Sequence, residues 1–187
     1  MERFVPIQGL HHWAYRCRDA EETRHFYEDL LGLPLTHFIR AENYVGTSGE
    51  RVDVYVHIFF EMADGSSLAF FDLGDDVAAE PSPNTPRWCN HMALDVASVA
   101  DLEKAQRRLE EAGVEVVGPL DHDGFLRSIY FFDPNGARLE LTTTTASPEK
   151  LASYRAAARP ALDAWTREKR KSRAQAEARD EAATVAR

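Results

Sequence analysis

The stretch IYFFDPNGARLEL, residues 129–141, decides the fold of this 187-residue chain. Its first residues are aromatic and β-branched, which favours a strand. The DPNG segment at 133–136 favours a turn, because aspartate bonds back to the main chain, proline presets φ and glycine accepts a positive φ. Apolar and polar residues then alternate from Arg138 onwards, which predicts a second strand. The stretch therefore predicts a β-hairpin with one carboxylate, Glu140, on its outgoing strand.

Length and composition indicate one globular domain with an extension. Hydrophobic residues make up 44% of the chain, an ordinary share for a packed core. No apolar run approaches the ~20 residues that a membrane helix needs, and the N-terminus lacks the pattern of a signal peptide. Two cysteines, Cys17 and Cys89, are too few for a disulfide framework. We therefore expect a cytoplasmic protein that has no contact with a membrane.

The charge of the chain is unevenly distributed. Residues 148–187 hold ten Lys and Arg against six Asp and Glu, a net charge of +4. Because the whole chain has a net charge of −9, residues 1–147 carry −13. An acidic body repels the phosphate backbone of nucleic acids. The charges of the basic segment are mixed, as on a solvated helix. Nucleic acid is therefore not an expected partner.

An internal repeat organises the predicted elements. Each half of the chain contains a strand, a helix and three more strands, so each is a βαβββ module. The modules span residues 8–73 and 89–146, and an acidic, proline-rich linker at 74–88 joins them. Predicted strands lie at 9–18, 34–45 (bulged around 41–43), 51–61, 67–73, 90–96, 114–120, 125–133 and 138–145, and predicted helices at 20–31 and 101–112.

Equivalent positions in the two modules can be aligned. His12 and His91 both stand near the start of the first strand of their module. When the glycine turns of the two halves are aligned, Ala69 falls opposite Glu140. A pseudo-twofold axis would bring His12, His91 and Glu140 to one cleft. Two imidazoles and one carboxylate on one face of a metal are typical of non-haem Fe(II) oxygenases, and they leave three coordination positions for a bidentate substrate and dioxygen.

Residues 147–187 form a separate C-terminal helical extension. Ser147 followed by Pro148 is a strong helix start, and Pro160 is predicted to kink or break the helix. Apolar residues recur at helical spacing, which predicts docking on the body or on a second subunit and favours a dimer contact. The apolar residues are Leu151, Tyr154, Ala158, Leu162 and Trp165.

The segments HWAYRCRD (12–19), NHMALDV (90–96) and DPNGARLEL (133–141) resemble those of the vicinal oxygen chelate superfamily. It includes glyoxalase I, extradiol ring-cleaving dioxygenases, fosfomycin-resistance enzymes, epimerases and bleomycin-binding proteins. The resemblance covers about residues 8–146. It implies an α+β fold in which two βαβββ modules form a cupped mixed sheet around a metal, and it implies that His12, His91 and Glu140 bind that metal. One fold hosts many reactions, so the reaction follows from other residues.

The resemblance is strongest to the type I extradiol dioxygenases. Glyoxalase I and the epimerases typically have a fourth metal ligand at the position of Ala69, which cannot bind a metal. In extradiol enzymes a tyrosine ten residues before the glutamate contacts the substrate, and Tyr130 holds that place. His122 lies near the position of an assisting acid/base. The metal implied is Fe(II), with Mn, Zn or Ni as alternatives.

One position departs from the extradiol pattern. Those enzymes usually carry an acid/base histidine about fifteen residues before the second ligand, where this chain has Asp76. His57, in the middle of a strand of the first module, replaces it if its side chain faces the cleft. An apolar substrate lining is expected from aromatic residues of the strands, namely Phe59, Phe70 and Phe132 together with Tyr130.

Three functions are compatible with these residues. The first is an Fe(II)-dependent ring-cleaving dioxygenase that takes dioxygen and a catechol-like aromatic as substrates. The second is a metal-dependent isomerase or lyase of glyoxalase type, and the third is a resistance protein that binds a drug or antibiotic. A homodimer is expected, but the sequence leaves open whether the cup forms within one chain or by exchange of modules between two chains.

Overall fold

The computed structural model describes residues 8–45, 49–80 and 84–185. The chain divides into two compact units. The described residues up to Leu120, together with Arg127–Thr143, form the first unit, which contains most of both modules. Asp121–Leu126 and the residues from Thr144 onwards form the second unit.

The first module has the predicted βαβββ order. Its elements are β1 (His12–Cys17), α1 (Ala20–Arg24), which continues as a π-helical turn (His25–Leu30), β2 (Leu35–Val45), β3 (Arg51–Glu61) and β4 (Ser67–Asp72). The strands pair in the order β1-β4-β3-β2, with β1 parallel to β4 and the other pairs antiparallel. The bulge predicted around 41–43 lies elsewhere, because the register of β2 against β3 shifts between Leu35 and His37.

The second module repeats this order. Its elements are β5 (Met92–Asp95), α2 (Val99–Glu111), β6 (Val117–Asp121), β7 (Leu126–Phe132) and β8 (Arg138–Thr144). The strands pair in the order β5-β8-β7-β6, with β5 parallel to β8. The predicted α+β class and the two modules are confirmed, and each module contributes one four-stranded mixed sheet.

The strand registers confirm the alignment of the two modules. In the first sheet, Ala14 of β1 lies opposite Ala69 of β4. In the second sheet, Ala93 of β5 lies opposite Glu140 of β8. Because Ala14 and Ala93 each stand two residues after the histidine of their module, Ala69 and Glu140 occupy equivalent places in the two sheets.

The helices begin where the sequence predicts. The Asp19 side chain accepts the backbone N–H of Glu22 at 2.7 Å, and Ser98 caps α2 in the same way through Asp101. The first helix is α-helical only to Arg24, because a π turn follows. That turn carries Phe26 and Tyr27 into the core.

The core of the first unit joins the two modules. Tyr27 packs on Phe70 with 4.7 Å between ring centroids, and Phe26 contacts Phe131 of the second module at 6.3 Å. Fully burying a side chain of this size stabilises the fold by about 2–3 kcal/mol. The other large core residues are Phe60, Leu68, Leu102, Leu109, Ile129 and Leu139.

The turn of the opening hairpin adds a buried polar connection between the modules. Asp133 is 5% exposed. One carboxylate oxygen accepts the N–H groups of Asn135 (2.9 Å) and Ala137 (2.7 Å), and the other accepts the Tyr27 hydroxyl at 3.0 Å. Burial raises the pKa of Asp133, and these donors oppose that effect. The side-chain carbonyl of Asn135 in turn accepts the N–H of Arg18 at 2.8 Å.

The second unit is dominated by α3 (Pro148–Val185). Ser147 accepts the N–H of Lys150 at 3.2 Å, as a helix N-cap does. The helix continues through Pro160, so the predicted break does not occur. Within the described side chains, Tyr154, Leu162 and Trp165 of the predicted apolar stripe are exposed. Over the described ranges, no helix has the length and apolar character needed to span a bilayer.

Candidate metal and substrate site

His91 and Glu140 meet in the second sheet. Glu140 lies on β8 and is 4% exposed, and His91 immediately precedes β5. Ala93 lies opposite Glu140 in the parallel pair of β5 and β8. His91 stands two residues before Ala93, so it projects from the same face and reaches the Glu140 carboxylate. The Nε2 atom of His91 is 2.9 Å from Oε2 of Glu140. A buried carboxylate thus has an imidazole nitrogen as its partner.

The second oxygen of Glu140 is held by Ser128. The Ser128 hydroxyl donates to Oε1 of Glu140 at 2.5 Å and lies 2.9 Å from the Thr142 hydroxyl. Ser128 is itself fully buried. This bond fixes the carboxylate so that its other oxygen points towards His91. Ser128 was not predicted from the sequence, although the alternation of β7 places it on the same face as Tyr130 and Phe132.

The imidazole of His91 is oriented for metal binding. Its Nδ1 atom is 3.1 Å from the carbonyl oxygen of Cys89, which accepts a hydrogen bond and so places the proton on Nδ1. The other ring nitrogen, Nε2, then faces the Glu140 carboxylate. Metal-binding histidines commonly donate their other N–H to a backbone carbonyl in this way. An imidazole nitrogen and a carboxylate oxygen suit a divalent first-row metal, so the pair fits the metal expected from the sequence.

The third expected ligand, His12, lies in the other sheet. Its ring contacts His57 and Phe59, with centroid distances of 6.1 and 5.5 Å, and its Nδ1 atom is 2.7 Å from Nδ1 of His11. Within residues 8–45, 49–80 and 84–185, no three His, Cys, Asp or Glu side chains stand close enough to hold a metal ion. The structure of one chain therefore brings two of the three expected ligands together.

His57 shares the sheet face of His12. It stacks on Phe71 with 3.6 Å between centroids and lies 4.3 Å from Phe59. Its Nε2 atom is buried and has no hydrogen-bond partner among the described residues. Burial lowers the pKa of His57 to about 4, with a smaller contribution from the neighbouring His12. The imidazole is therefore neutral at pH 7, and its acid/base role stays a prediction.

The depressed pKa of His57 predicts a specific pH dependence of stability. The unfolded chain takes up this proton near pH 6.5, whereas the folded chain takes it up near pH 4. Folding is therefore disfavoured as the pH falls from 6.5 to 4, by up to about 3 kcal/mol for this group. Urea unfolding of the chelator-treated protein across this range should show the loss, and His57→Phe should remove that part of it. The wild-type loss should persist in His25→Phe, which changes an exposed histidine. A loss that also persists undiminished in His57→Phe would contradict the assignment.

Tyr130 lies beside the pair formed by His91 and Glu140. Its ring centroid is 6.0 Å from that of His91, and the Arg138 guanidinium lies 4.2 Å above the Tyr130 ring. Burial raises the pKa of Tyr130, hydrogen bonding with Ser128 lowers it, and the Glu140 charge raises it further. The phenol is therefore protonated at neutral pH.

The aromatic residues that were expected to line the substrate site lie on different faces of the two sheets. Phe132 is 40% exposed and shares the Tyr130 face of β7, and Phe59 lies on the His12 face of the first sheet. Phe70 instead lies in the core at 1% exposure, against Tyr27. Alternation along β4 explains this, because Phe71 takes the place beside His57. Phe71 is thus a lining residue that was not predicted from the sequence.

The remaining expected residues lie in loops. His122 occupies the turn between β6 and β7, in the second unit, and its N–H donates to the carbonyl of Leu126 at 3.0 Å. Its acid/base role stays a prediction. Asp76, at the place of the missing histidine, is exposed and adopts a left-handed conformation with φ of 56°.

The comparisons with known proteins agree with this fold. A family model described as Glyoxalase/Bleomycin resistance protein/Dioxygenase superfamily matches residues 9–141. Glutathione transferase FosA of Serratia marcescens is 30% identical over 135 residues, which cover 72% of this chain and 80% of that protein. Glyoxylase I 4 of Arabidopsis thaliana is 23% identical over 144 residues, 76% of this chain and 74% of that protein.

A solved structure shows the same fold at lower identity. A point mutant of the fosfomycin resistance protein FosX from Listeria monocytogenes, in complex with Mn(II) and 1S,2S-dihydroxypropylphosphonic acid, superposes with a TM-score of 0.54. It is 20% identical and covers 79% of this chain and 99% of its own. None of these three names describes an extradiol dioxygenase. The family model matches more than half of the chain and the two βαβββ modules agree with it, so the chain belongs to the Glyoxalase/Bleomycin resistance protein/Dioxygenase superfamily.

Proposed function

We propose that this protein is a divalent-metal-dependent enzyme of the transferase or lyase kind, acting on a small molecule that binds the metal through oxygen. The observation that carries the proposal is the buried contact between His91 Nε2 and Glu140 Oε2 at 2.9 Å. A buried carboxylate is stable this close to an imidazole nitrogen only if a cation or a proton lies between the two atoms. His91 and Glu140 would hold the metal, and the metal would polarise a substrate oxygen.

The third ligand is His12 of a second copy of the chain. In one chain His12 lies in the first sheet and is exposed, and the described residues contain no group of three ligands. The two modules are built alike, so a twofold dimer can place the first sheet of one copy against the second sheet of the other. This arrangement would give two equivalent metal sites per dimer, each with His12 from one copy and His91 and Glu140 from the other.

A purified heterodimer tests the shared site. His12→Ala and His91→Ala chains that carry different affinity tags are co-expressed, and the species that carries both tags is isolated. In this heterodimer one site keeps all three ligands and the other loses two. We therefore expect about one tightly bound Mn(II) per heterodimer, against about two in the wild-type dimer and about none in either homodimer.

Two results would contradict the shared site. One is a heterodimer that binds no more Mn(II) than the mutant homodimers. The other is a wild-type protein that is monomeric in solution at full metal occupancy. The exposed stripe of α3, with Tyr154, Leu162 and Trp165, is a second expected dimer contact.

The transferase or lyase class is favoured over ring cleavage by the relatives. The two relatives described above are named a glutathione transferase and a glyoxylase. Neither name implies a reaction with dioxygen. Glutathione is therefore the first thiol co-substrate to test.

The extradiol dioxygenase is the second candidate, and a specific observation favours it. Tyr130 is buried beside His91 and Glu140, with its phenol protonated, as a residue that donates to a metal-bound phenolic substrate would be. Ala69 leaves the equivalent place in the first sheet without a ligand, which keeps coordination positions open. A drug-binding protein without a reaction is a weaker candidate, because it needs no His–Glu pair.

The metal of anaerobically purified protein distinguishes the candidates. Manganese, zinc or nickel with turnover that does not need oxygen supports the transferase or lyase. Iron with oxygen uptake on catechols overturns it in favour of the dioxygenase. Protein that purifies without metal, binds none on addition and still binds a ligand tightly overturns both enzymes.

A further inference from the structure

Two arginines stand over aromatic rings next to the His91–Glu140 pair. The Arg138 guanidinium lies 4.2 Å from the centroid of Tyr130, and the Arg87 guanidinium lies 4.8 Å from that of Phe132. Tyr130 and Phe132 alternate on one face of β7. The two guanidinium groups therefore form a cationic shelf, Arg87 and Arg138, on the face that carries Glu140.

The shelf borders a cavity of about 320 Å³. Arg87, Asn90, Phe132 and Arg138 line it, and Asn90 is the residue before His91. Arg16 also lines the cavity, but its charge is neutralised by an ion pair with Asp75. Among the described lining residues, Glu80 is the one carboxylate. The cavity thus reaches the residue that precedes the proposed ligand His91.

The cationic shelf has unused hydrogen-bond donors. Arg138 donates one N–H to the carbonyl of Trp88 at 2.7 Å, which fixes the guanidinium over the Tyr130 ring. Within the described residues, neither Arg138 nor Arg87 forms an ion pair with a carboxylate, Glu80 included. A guanidinium presents five N–H donors in a planar fork that matches carboxylate and phosphate oxygens.

We infer that the cationic shelf binds an anionic group, a carboxylate or a phosphonate, on the substrate of this enzyme. The inference rests on the proposed function and specifies its substrate class. Arg138 and Glu140 are two residues apart on one strand face, which corresponds to about 7 Å. The substrate would therefore carry its anionic group on the same sheet face as the oxygen atoms that bind the metal. Electrostatic attraction would also fix the orientation of the substrate at the metal.

Titration with small anions tests the cationic shelf directly. Methylphosphonate and acetate are titrated into the chelator-treated wild-type protein, with and without added Zn(II), and the Arg Nε–H resonances are followed by NMR. We expect the Arg138 resonance to shift and Arg138→Gln to weaken binding of the preferred anion about tenfold or more, because charge-assisted hydrogen bonds are lost. Arg87→Gln should weaken it less, since that side chain is more exposed. The probe that binds more tightly identifies the anion class.

The control is Arg40→Gln, which removes an exposed arginine already paired with Glu42 on β2. Unchanged affinity for both probes in Arg138→Gln and Arg87→Gln would overturn the inference. Equal weakening in Arg40→Gln would also overturn it, because the effect would then reflect net charge. Mn(II) affinity is measured in the same variants. Loss of anion binding with Mn(II) binding retained supports the cationic shelf. The metal site itself is tested separately, by the Mn(II) affinity of the Glu140→Gln variant.

Discussion

Replacing Glu140 with glutamine should weaken divalent-metal binding by at least about 100-fold. The amide keeps the size of the side chain and can still accept the Ser128 hydrogen bond, but it removes the negative charge that faces His91. A neutral amide oxygen is a far poorer ligand for a divalent cation than a carboxylate. Titration of the chelator-treated protein with Mn(II) and Zn(II) measures the loss.

Glu103→Gln is the matched control for this prediction. Glu103 lies on α2 and is exposed, and its replacement makes the same change in charge on a helix that carries none of the proposed metal ligands. It should leave the metal affinity unchanged. If the Glu140→Gln protein is folded by circular dichroism and binds both metals like the wild type, then Glu140 is not a metal ligand and the proposed function fails.

Replacing Asp133 with alanine should destabilise the fold by about 3–5 kcal/mol. The change leaves the buried hydroxyl of Tyr27 without its acceptor and also removes the acceptor of the N–H groups of Asn135 and Ala137. Each buried donor left without a partner costs about 1–3 kcal/mol. The loss is measured by urea unfolding, and the contact between the first helix and the hairpin turn should loosen at the same time.

Two further variants show how much of this loss of stability comes from the buried hydrogen bonds of Asp133. Asp133→Asn keeps one acceptor oxygen for the turn and should cost about 1–2 kcal/mol. Asp64→Ala changes the exposed turn carboxylate of the first module, which accepts from the N–H and the hydroxyl of Ser66. It should cost clearly less than Asp133→Ala, because water can replace an exposed acceptor. If Asp133→Ala costs no more than Asp64→Ala, the buried network contributes nothing beyond an ordinary turn.

The fold was accessible from the sequence because its signals are local. The alternation along β3, the Asp19 cap and the DPNG turn each depend on residues a few positions apart, and their predictions match the structure. The internal repeat then fixed the module order without any tertiary information. Local signals did not predict the π turn after Arg24. They predicted a kink or a break at Pro160, and the helix continues without the break.

The candidate site could be predicted only in part from the sequence. The repeat predicted that Glu140 and Ala69 occupy equivalent places, and the strand registers agree. Ser128 and Arg138 were not assigned roles, because a serine and an arginine in alternating strands are ordinary surface residues until their neighbours are known. Phe70 was expected to line the site but lies in the core, because the apolar run from 68 to 71 within β4 gives no alternation that would show which face each residue takes.

The sequence alone determined the two βαβββ modules, the equivalence of His12 and His91, and the hairpin that carries Glu140, since each depends on spacing along the chain. Tertiary structure alone decided that Glu140 is buried against His91 and Ser128, and that His12 lies in the other sheet beside His57. The reason is physical: pairing between distant strands sets which side chains meet, and that pairing has no local signature. The tertiary structure also showed that Arg138 stands over the Tyr130 ring, the contact from which the cationic shelf is inferred.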